Sequence, residues 1–485
     1  MHRINFLFLV TSVVIYLDGF TSDVNTKFII LNGLLLIYTF YYIAKTFRQK
    51  KNFLDPLILS LIINQLVFFG GLTSFFLIDD WRFIPGHSAS LVSWHPTYLV
   101  KYILLLNIGT IFMIYGYHSK LGIKASRANC ARIINSQITK INPSKLTLIA
   151  IAVVGVITKL YLMELGLFGR LLSEDHTVFG ETQSFLASQL APLNHISMIA
   201  FVFVCYRYFN KVKGYSLLFY LLIGSEIFFA FIDGSRKPIL ELYILLFLIF
   251  YFVKKKVNFN ILALGLITIY LAFTIVLEFK FYVLNNKISK IEPITLITNF
   301  IKYRAVYEDL IQEKIYEKVE SNISYRINFV TQATSALVHA DHDGIGANDP
   351  DFLLGVLLVP FDVVVPKSIQ GTAAVNWGDW FRFSVLHRGH DYTTYSIPFT
   401  PLGYLYFLGG SFAVFFGFFI YGILLRSIIL LPQAGFIGFL FFLLLLTCVG
   451  MFETAIPQSL IRYLRYLFIL PFVFKFGRQF FIKSN

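Results

Sequence analysis

Residues 396–426 read SIPFTPLGYLYFLGGSFAVFFGFFIYGILLR, and they indicate the fold class more clearly than any other segment. From Pro401 to Leu425 this stretch contains no charged residue. An apolar run of roughly 18 or more residues is long enough to cross the hydrocarbon core of a bilayer as an α-helix. Inside lipid the backbone must satisfy all its own hydrogen bonds, and a helix does this within one segment. The stretch therefore predicts a membrane-spanning helix.

The rest of the chain repeats this pattern. It is 57% hydrophobic and only 14% charged, whereas a soluble domain is about a quarter charged. The sequence predicts an all-α polytopic membrane protein with about twelve transmembrane helices. The predicted spans are near 4–21, 27–46, 56–78, 98–117, 146–166, 191–210, 215–232, 238–253, 259–279, 401–425, 433–452 and 461–477.

Lysine and arginine fix the predicted orientation. Cytoplasmic loops carry an excess of these residues, and with both termini cytoplasmic every predicted inner loop is basic. The loop at 118–145 contains no acidic residue. Topology and anionic lipid headgroups account for the net charge of +14 better than nucleic-acid binding does. The N-terminal apolar run is interpreted as a retained first span, and the three cysteines as free structural residues.

One long polar stretch interrupts the spans and divides the chain into three parts. Spans 1–9 occupy residues 1–279, one large external loop occupies 280–400 between spans 9 and 10, and spans 10–12 occupy 401–485. Within the loop, apolar residues at three- to four-residue spacing predict an amphipathic helix at about 295–320. The apolar segment 352–366 is too short to span a bilayer and is interrupted by Pro360, so it is predicted to be re-entrant or docked.

Arginines are the strongest candidates for binding residues in the external segments. Arg236 lies in the short connection between spans seven and eight, where an ionisable residue is a functional-site candidate. Guanidinium groups bind phosphate oxygens in a bidentate manner and stay charged. The candidate phosphate-binding residues are Arg236, Arg326, Arg382, Arg388 and Arg170. For Arg170, a simple anchoring role at the membrane surface is an equal alternative.

Aromatic residues beside these arginines suggest a ligand that carries sugar as well as phosphate. Aromatic faces pack against the apolar faces of sugars, and the candidates are Trp377, Trp380 and Tyr392. A metal site is not predicted. Asp79–Asp80 and the cluster His339, Asp341, His342 and Asp343 lack a recognised ligand spacing, so solvated loops explain them better. No cofactor is expected.

The residues quoted above carry a resemblance to a known family. Residues 396–426 resemble the late span of the bacterial oligosaccharide repeat-unit polymerases, the Wzy-type O-antigen and capsule polymerases. The shared pattern is a polar segment leading into proline, a Gly-x-Leu-Tyr-like step, a glycine-rich bend and a Gly-x-Leu-x-Arg exit. Ile232-Asp233-Gly234-Ser235-Arg236 is similar to a Gly-Ser-Arg turn of the same families, and 351–368 resembles their Pro-rich turn.

The resemblance implies a GT-C-like glycosyltransferase architecture and a polymerase function. The donor and acceptor would both be polyisoprenyl-pyrophosphate-linked glycans, joined by inverting transfer at the outer face of the bacterial inner membrane. Membrane lipids, a chain-length regulator and a flippase are the expected partners. General-base catalysis needs a carboxylate or histidine near the acceptor hydroxyl, and the candidates are His387, Asp391 and Glu174.

Other functional classes remain open at this point. An O-antigen ligase shares the architecture and the donor but uses another acceptor. A lipid-linked oligosaccharide flippase also has about twelve spans, but it would need polar residues through the midplane. Here Lys159, Glu226 and Glu278 are expected near the span ends. A scaffold without activity would not need Arg236 in a short bend.

Overall fold

The structure is a computed structural model. It describes residues 2–17, 24–50, 55–62, 96–135, 142–164, 196–232, 236–256, 329–342 and 400–450, with scattered positions between 260 and 304, residue 356 and six positions between 460 and 467. Every element of regular structure in these residues is helical.

Eleven α-helices have defined bounds in the described residues. In chain order they are α1 His2–Leu17, α2 Val24–Lys50, α3 Pro96–His118, α4 Lys120–Asn135, α5 Lys145–Glu164, α6 Ile196–Phe209, α7 Ser216–Ile232, α8 Arg236–Lys254, α9 Phe329–His342, α10 Pro401–Ser427 and α11 Gly435–Gly450. A short 3₁₀ helix, Leu431–Ala434, joins α10 to α11.

Four helical segments among the described residues are long and apolar enough to cross a membrane: Thr26–Thr46, Thr97–His118, Lys145–Met163 and Pro401–Leu446, the last of which includes α10 and most of α11. Ile4–Leu17, Ile196–Phe209 and Ser216–Ile232 are shorter apolar helices. Each predicted span contains residues that are helical in the structure. The described architecture is therefore compatible with a helical membrane protein.

Large apolar side chains project from several of these helices. In α1 and α2, Phe6, Leu17, Ile37 and Phe40 are each more than 60% exposed. A soluble protein rarely exposes contiguous apolar surface of this kind. Lipid chains would surround such side chains without cost, so their exposure agrees with a membrane location.

The chain divides into two compact units. One contains residues 1–141 and 321–485, and the other contains residues 142–320. The first unit joins the beginning and end of the sequence, because α3 packs against both α2 and α10.

Contacts in the first unit show the relative directions of its helices. The Tyr38 hydroxyl donates to Asn5 Oδ1 and Lys27 Nζ donates to the Tyr16 carbonyl, so α1 and α2 are antiparallel. Asn107 Nδ2 donates to the Leu31 carbonyl. Further toward the C-terminal ends of the same two helices, Tyr42 and His118 share a hydrogen bond of 2.6 Å, so α2 and α3 are parallel.

Helices α3 and α10 also run in the same direction and approach closely. Phe112 and Phe415 stack with ring centroids 5.4 Å apart, and the Arg426 guanidinium lies 5.1 Å from the Tyr117 ring centroid. Between these contacts, a Cβ added to Gly422 would collide with the Met113 carbonyl. Small residues at helix interfaces allow backbones to approach in this way. The glycine therefore sets the distance between α3 and α10.

The backbone of α10 is broken at Gly409–Gly410. Gly410 has φ 62° and ψ −153°, a conformation that is essentially restricted to glycine. The break bends the chain so sharply that Leu405 contacts the position of Gly417. In a straight helix these residues would be roughly 18 Å apart. The glycine-rich bend expected from the sequence is therefore present, and it separates Pro401–Leu408 from the remainder of the helix.

Helices of the second unit surround a buried ion pair. A tight turn joins α6 and α7, and Tyr208 stacks on Phe219 across it with centroids 4.1 Å apart. Helix α6 also packs against α5 and α8. The described part of the predicted amphipathic helix is helical at 297–304, where Phe300 is buried and Ile301 is 62% exposed.

Two helices have no counterpart among the sequence predictions. Helix α4 lies in the predicted inner loop 118–145, and α9 lies in the large loop after the predicted amphipathic helix. Both bury small residues, including Gly122 and Ser126 in α4 and Ala336 and Ala340 in α9. A stripe of small residues gives a weak hydrophobic pattern, so the periodicity of the sequence did not indicate these helices.

Candidate functional site

Most of the predicted site residues lie outside the residues that the structure describes. These are Arg170, Glu174, Arg326, Trp377, Trp380, Arg382, His387, Arg388, Asp391 and Tyr392. The apolar segment 352–366 is outside them too, apart from residue 356. The roles proposed for these residues stay predictions.

Arg236 is the one predicted site residue whose position in the fold is described. It begins α8, while α7 ends at Ile232, so the connection between these two helices is as short as the sequence predicts. Near the end of α7, Phe231 packs against Phe279 and Phe300, with centroids 4.7 and 6.1 Å away. The segment after the predicted ninth span is thus attached to the helix that leads into the Arg236 connection.

A charged cluster joins α3, α9 and the first part of α10. The Lys101 ammonium donates to one carboxylate oxygen of Asp341, and the Tyr406 hydroxyl donates to the other at 2.6 Å. Lys101 Nζ also lies 4.8 Å from the Tyr406 ring centroid and 5.4 Å from that of Tyr98. By the predicted topology, this cluster lies at the outer end of the bundle.

The cluster remains accessible to solvent and to a ligand. The side chains of Lys101 and Asp341 are 24% and 30% exposed. Burial tends to raise the pKa of the Asp341 carboxyl, but hydrogen bonds from Lys101 and Tyr406 outweigh burial and hold this pKa below its ordinary value. Asp341 is therefore an anion at neutral pH. An ion pair with this exposure contributes only about 0–1 kcal/mol, so opening it costs little.

Local sequence explains why Tyr406 reaches this cluster. Thr400 caps the start of α10, since its hydroxyl accepts a hydrogen bond from the Gly403 amide at 3.2 Å. Pro401 follows at the first helical position, where a missing N–H group does no harm. The break at Gly409–Gly410 ends this short helical segment, whose residues 401–407 are all buried. Tyr406 is thus carried on a short, packed helix that is separated from the long part of α10.

A second charged pair is buried inside the second unit. Lys159 Nζ donates to Glu226 Oε2 at 2.7 Å, and the two side chains are 6% and 5% exposed. Leu162, Met163, Phe229 and Ile232 form an apolar cluster next to the pair. Glu226 Oε1 has no hydrogen-bond partner among the described residues. The sequence predicted these charges near the ends of their spans but gave no indication of their environment. The structure shows that they are buried and that they pair with each other.

A third pair links Glu278 to the segment that follows the predicted ninth span. Arg304 Nε lies 3.0 Å from Glu278 Oε2, and the arginine side chain is 46% exposed. The same oxygen lacks a well-aligned hydrogen bond, so the contact is an ion pair rather than a directional bond. Phe279, Tyr282 and Phe300 form a buried aromatic cluster next to it. Arg304 is an additional exposed arginine that the sequence reasoning did not select.

Potential metal ligands do not converge in the described part of the chain, where no group of three or more His, Cys, Asp or Glu side chains occurs. Asp341, part of the acidic and histidine-rich segment noted in the sequence, binds Lys101 and Tyr406 instead.

Sequence reasoning missed Lys101 and Tyr406. Lys101 is a lone cation four residues inside a predicted span, and Tyr406 is one of 28 tyrosines. A charge just inside a span was a usable signal, because such a residue needs a partner. The identity of that partner was not accessible, since Asp341 is 240 residues away in sequence.

The chain matches no protein-family model, no curated protein and no solved structure.

Proposed function

We propose that this chain is a Wzy-type polymerase that joins polyisoprenyl-pyrophosphate-linked repeat units into a surface polysaccharide. The observation that carries the proposal is the broken helix α10. Its break at Gly409–Gly410 lies within the stretch 396–426 that resembles the late span of those polymerases. Immediately before the break, Tyr406 contacts an accessible cation and an accessible carboxylate.

A broken helix at membrane depth supports the handling of a polar ligand. Irregular backbone in a bilayer is tolerated only where protein buries it or where it lines a polar cavity. Phosphate and sugar groups attached to a lipid carrier need such a place, because they must react beside the membrane.

Helix directions support the alternation of spans in the proposed twelve-span topology. Helices α2, α3 and α10 run parallel to one another and antiparallel to α1. In the proposed topology these helices are spans 2, 4, 10 and 1, so the even-numbered spans should share one direction. On this arrangement Lys101 and Asp341 face the outside of the inner membrane, where the repeat units are joined.

The reaction is an inverting glycosyl transfer. A hydroxyl oxygen of the acceptor attacks the anomeric carbon of the donor and loses its proton to a base. The bond from that carbon to the pyrophosphate oxygen breaks, and polyisoprenyl pyrophosphate leaves with the electron pair. Preorganised cations that stabilise the leaving charge lower the barrier. Arg236, Arg326, Arg382 and Arg388 are proposed for this role, and His387, Asp391 or Glu174 for the base.

Lys101 and Asp341 add a cation and a carboxylate to this proposal. A phosphate oxygen that approaches Lys101 competes with Asp341 for its ammonium group. Because the Lys101–Asp341 pair is exposed and weak, this exchange requires little free energy. Asp341 would then lose a hydrogen bond that lowers its pKa and become a better proton acceptor.

A lipid-linked oligosaccharide flippase is the second candidate, because the same observation favours it. Transporters also use discontinuous spanning helices at their substrate sites. The buried Lys159–Glu226 pair gives the second unit a charged interior, which a flippase would use.

The polysaccharide ladder of a deletion strain separates these functions. Loss of polymer with retention of single repeat units on the surface anchor supports the polymerase. Loss of every attached unit, single repeats included, indicates a ligase or a flippase. A ligase defect leaves repeat units on the carrier at the outer face, whereas a flippase defect leaves them at the inner face.

Complementation of that strain tests the site. Arg236→Ala and Arg326→Ala should abolish polymer while the protein remains in the membrane. Asp341→Asn should reduce polymer at least about tenfold if the carboxylate accepts a proton. Lys213→Ala, an exposed residue in the turn between α6 and α7, is the matched control and should leave the ladder unchanged. Normal chain length with both arginine variants would refute the site.

A further inference from the structure

Helix α4 presents two chemically different faces. Gly122, Ser126, Asn129 and Ile133 are buried at helical spacing. Asn129 Nδ2 donates to the Ser427 carbonyl at 3.4 Å, and the Cys130 thiol donates to the Leu430 carbonyl at 3.5 Å. This face attaches α4 to the end of α10 and to the turn that follows it.

The opposite face is basic. Lys120, Lys124 and Arg127 are exposed and, at 3.6 residues per turn, lie within an arc of about 60° on the side away from the buried stripe. Arg132 is also exposed. No acidic residue occurs between 118 and 145, so nothing in this segment neutralises the stripe. Long-range attraction to anions is the direct consequence.

The position of α4 along the bundle indicates which anion it meets. Only Ser119 separates it from α3, which is long and apolar enough to span a bilayer. Its docked face contacts Ser427 and Leu430, where α10 ends and the turn toward α11 begins. Within one helical turn of a span end lies the headgroup layer of a bilayer. Lys120 is therefore at the depth of lipid phosphates.

Exposed apolar residues flank the basic stripe. Leu121 is 62% exposed and Ile134 is 50% exposed. A helix with basic residues and flanking apolar side chains is suited to the boundary between headgroups and acyl chains. A docking site for a soluble acidic protein would not need these apolar side chains at membrane depth.

We propose that the Lys120–Lys124–Arg127 face of α4 is a binding site for anionic phospholipid headgroups. The site is formed by a packed helix whose exposed cations are spaced one turn apart. It binds lipid phosphate independently of any catalytic activity of the chain.

Lipid titration of the purified full-length protein tests this proposal. The protein is reconstituted in nanodiscs of phosphatidylcholine with increasing phosphatidylglycerol, and retained lipids are counted by native mass spectrometry. Each basic residue near the surface contributes about 1 kcal/mol of attraction. K120Q/K124Q/R127Q should therefore weaken phosphatidylglycerol retention at least about tenfold, and 0.5 M salt should weaken it in the wild-type protein.

Matched variants make the result decisive. K145Q/K213Q/K256Q removes three exposed lysines that lie outside α4 in predicted inner segments, and it should retain most of the binding. K120R/K124R/R127K keeps the charge and should bind as the wild type does. Equal loss in both glutamine variants would show a net-charge effect and overturn the proposal. So would unchanged retention in K120Q/K124Q/R127Q, or binding of an acidic peptide in place of lipid. Thermal unfolding in pure phosphatidylcholine verifies that each variant is folded.

Discussion

Lys159 and Glu226 illustrate what a charged side chain requires inside an apolar bundle. Their side chains are only 6% and 5% exposed, and the pair is surrounded by apolar residues. Desolvation makes either charge very unfavourable by itself, so each is tolerated only because of the other.

A double-mutant cycle should reveal this dependence. Lys159→Met or Glu226→Leu alone leaves a buried charge without a partner and should cost about 3–5 kcal/mol of stability. The double variant should be less destabilised than either single variant, because no uncompensated charge remains. Unfolding in detergent by heat or denaturant measures the three changes. Additive losses in the double variant would contradict the pairing.

Asp341 gives a second prediction at this scale, in the pH dependence of stability. Its pKa is lowered in the folded protein, so its contribution is complete above the unfolded value of about 3.9 and is lost as the pH falls through the lower folded value. At pH 6 the free energy of unfolding of the wild type should therefore exceed that of Asp341→Asn by about 1 kcal/mol. The wild type should accordingly unfold at a higher temperature.

That difference should shrink as the pH falls below about 4, the ordinary pKa of an aspartate. Thermal unfolding of both proteins between pH 3 and pH 7 checks the expectation. A difference that is constant over this range would show that the Asp341 carboxylate has no part in the effect.

At the scale of single elements, the break in α10 depends on one glycine. Gly410 has φ 62° and ψ −153°, where any side chain introduces strain. Gly410→Ala should cost about 1–3 kcal/mol or straighten the helix and displace Tyr406 from Asp341.

Gly33→Ala in α2 is the matched control. An added Cβ there meets nothing within 4 Å, and the helix gains about 0.5–1 kcal/mol from the reduced flexibility of the unfolded chain. Thermal unfolding of both variants, with polymer formation in cells as a second measurement, tests the role of the break. If Gly410→Ala is neutral in both measurements, the broken conformation is not needed.

Element prediction succeeded where a pattern is long and apolar. Helices α10 and α3 were predicted from the apolar runs 401–425 and 98–117, which contain no charged residue except Lys101. Helices α4 and α9 were missed because their buried faces consist largely of small residues. Their helical structure depends on the helices against which they pack, and the local sequence contains little of that information.

For the whole molecule, the sequence makes a firm prediction about sidedness. The basic segment 118–145 should be cytoplasmic and the large loop 280–400 external. In a chain whose native cysteines are replaced by serine, Lys124→Cys and Asn348→Cys serve as reporters. A membrane-impermeant maleimide should label Asn348→Cys in intact spheroplasts and Lys124→Cys only after permeabilisation. Labelling of both from the same side would refute the twelve-span topology.

Composition and charge by themselves determined that this is an apolar helical chain, where most of its long helices lie, and which loops are basic. These properties follow from the transfer of each segment into lipid. Because this transfer depends on the residues of that segment alone, it can be predicted from the sequence. The contacts of Lys101 with Asp341 and Tyr406, and of Lys159 with Glu226, became known only from the folded structure. These contacts join residues that are far apart in the chain. Each charged side chain pairs with a residue that folding brings close to it, and the local sequence does not identify that residue.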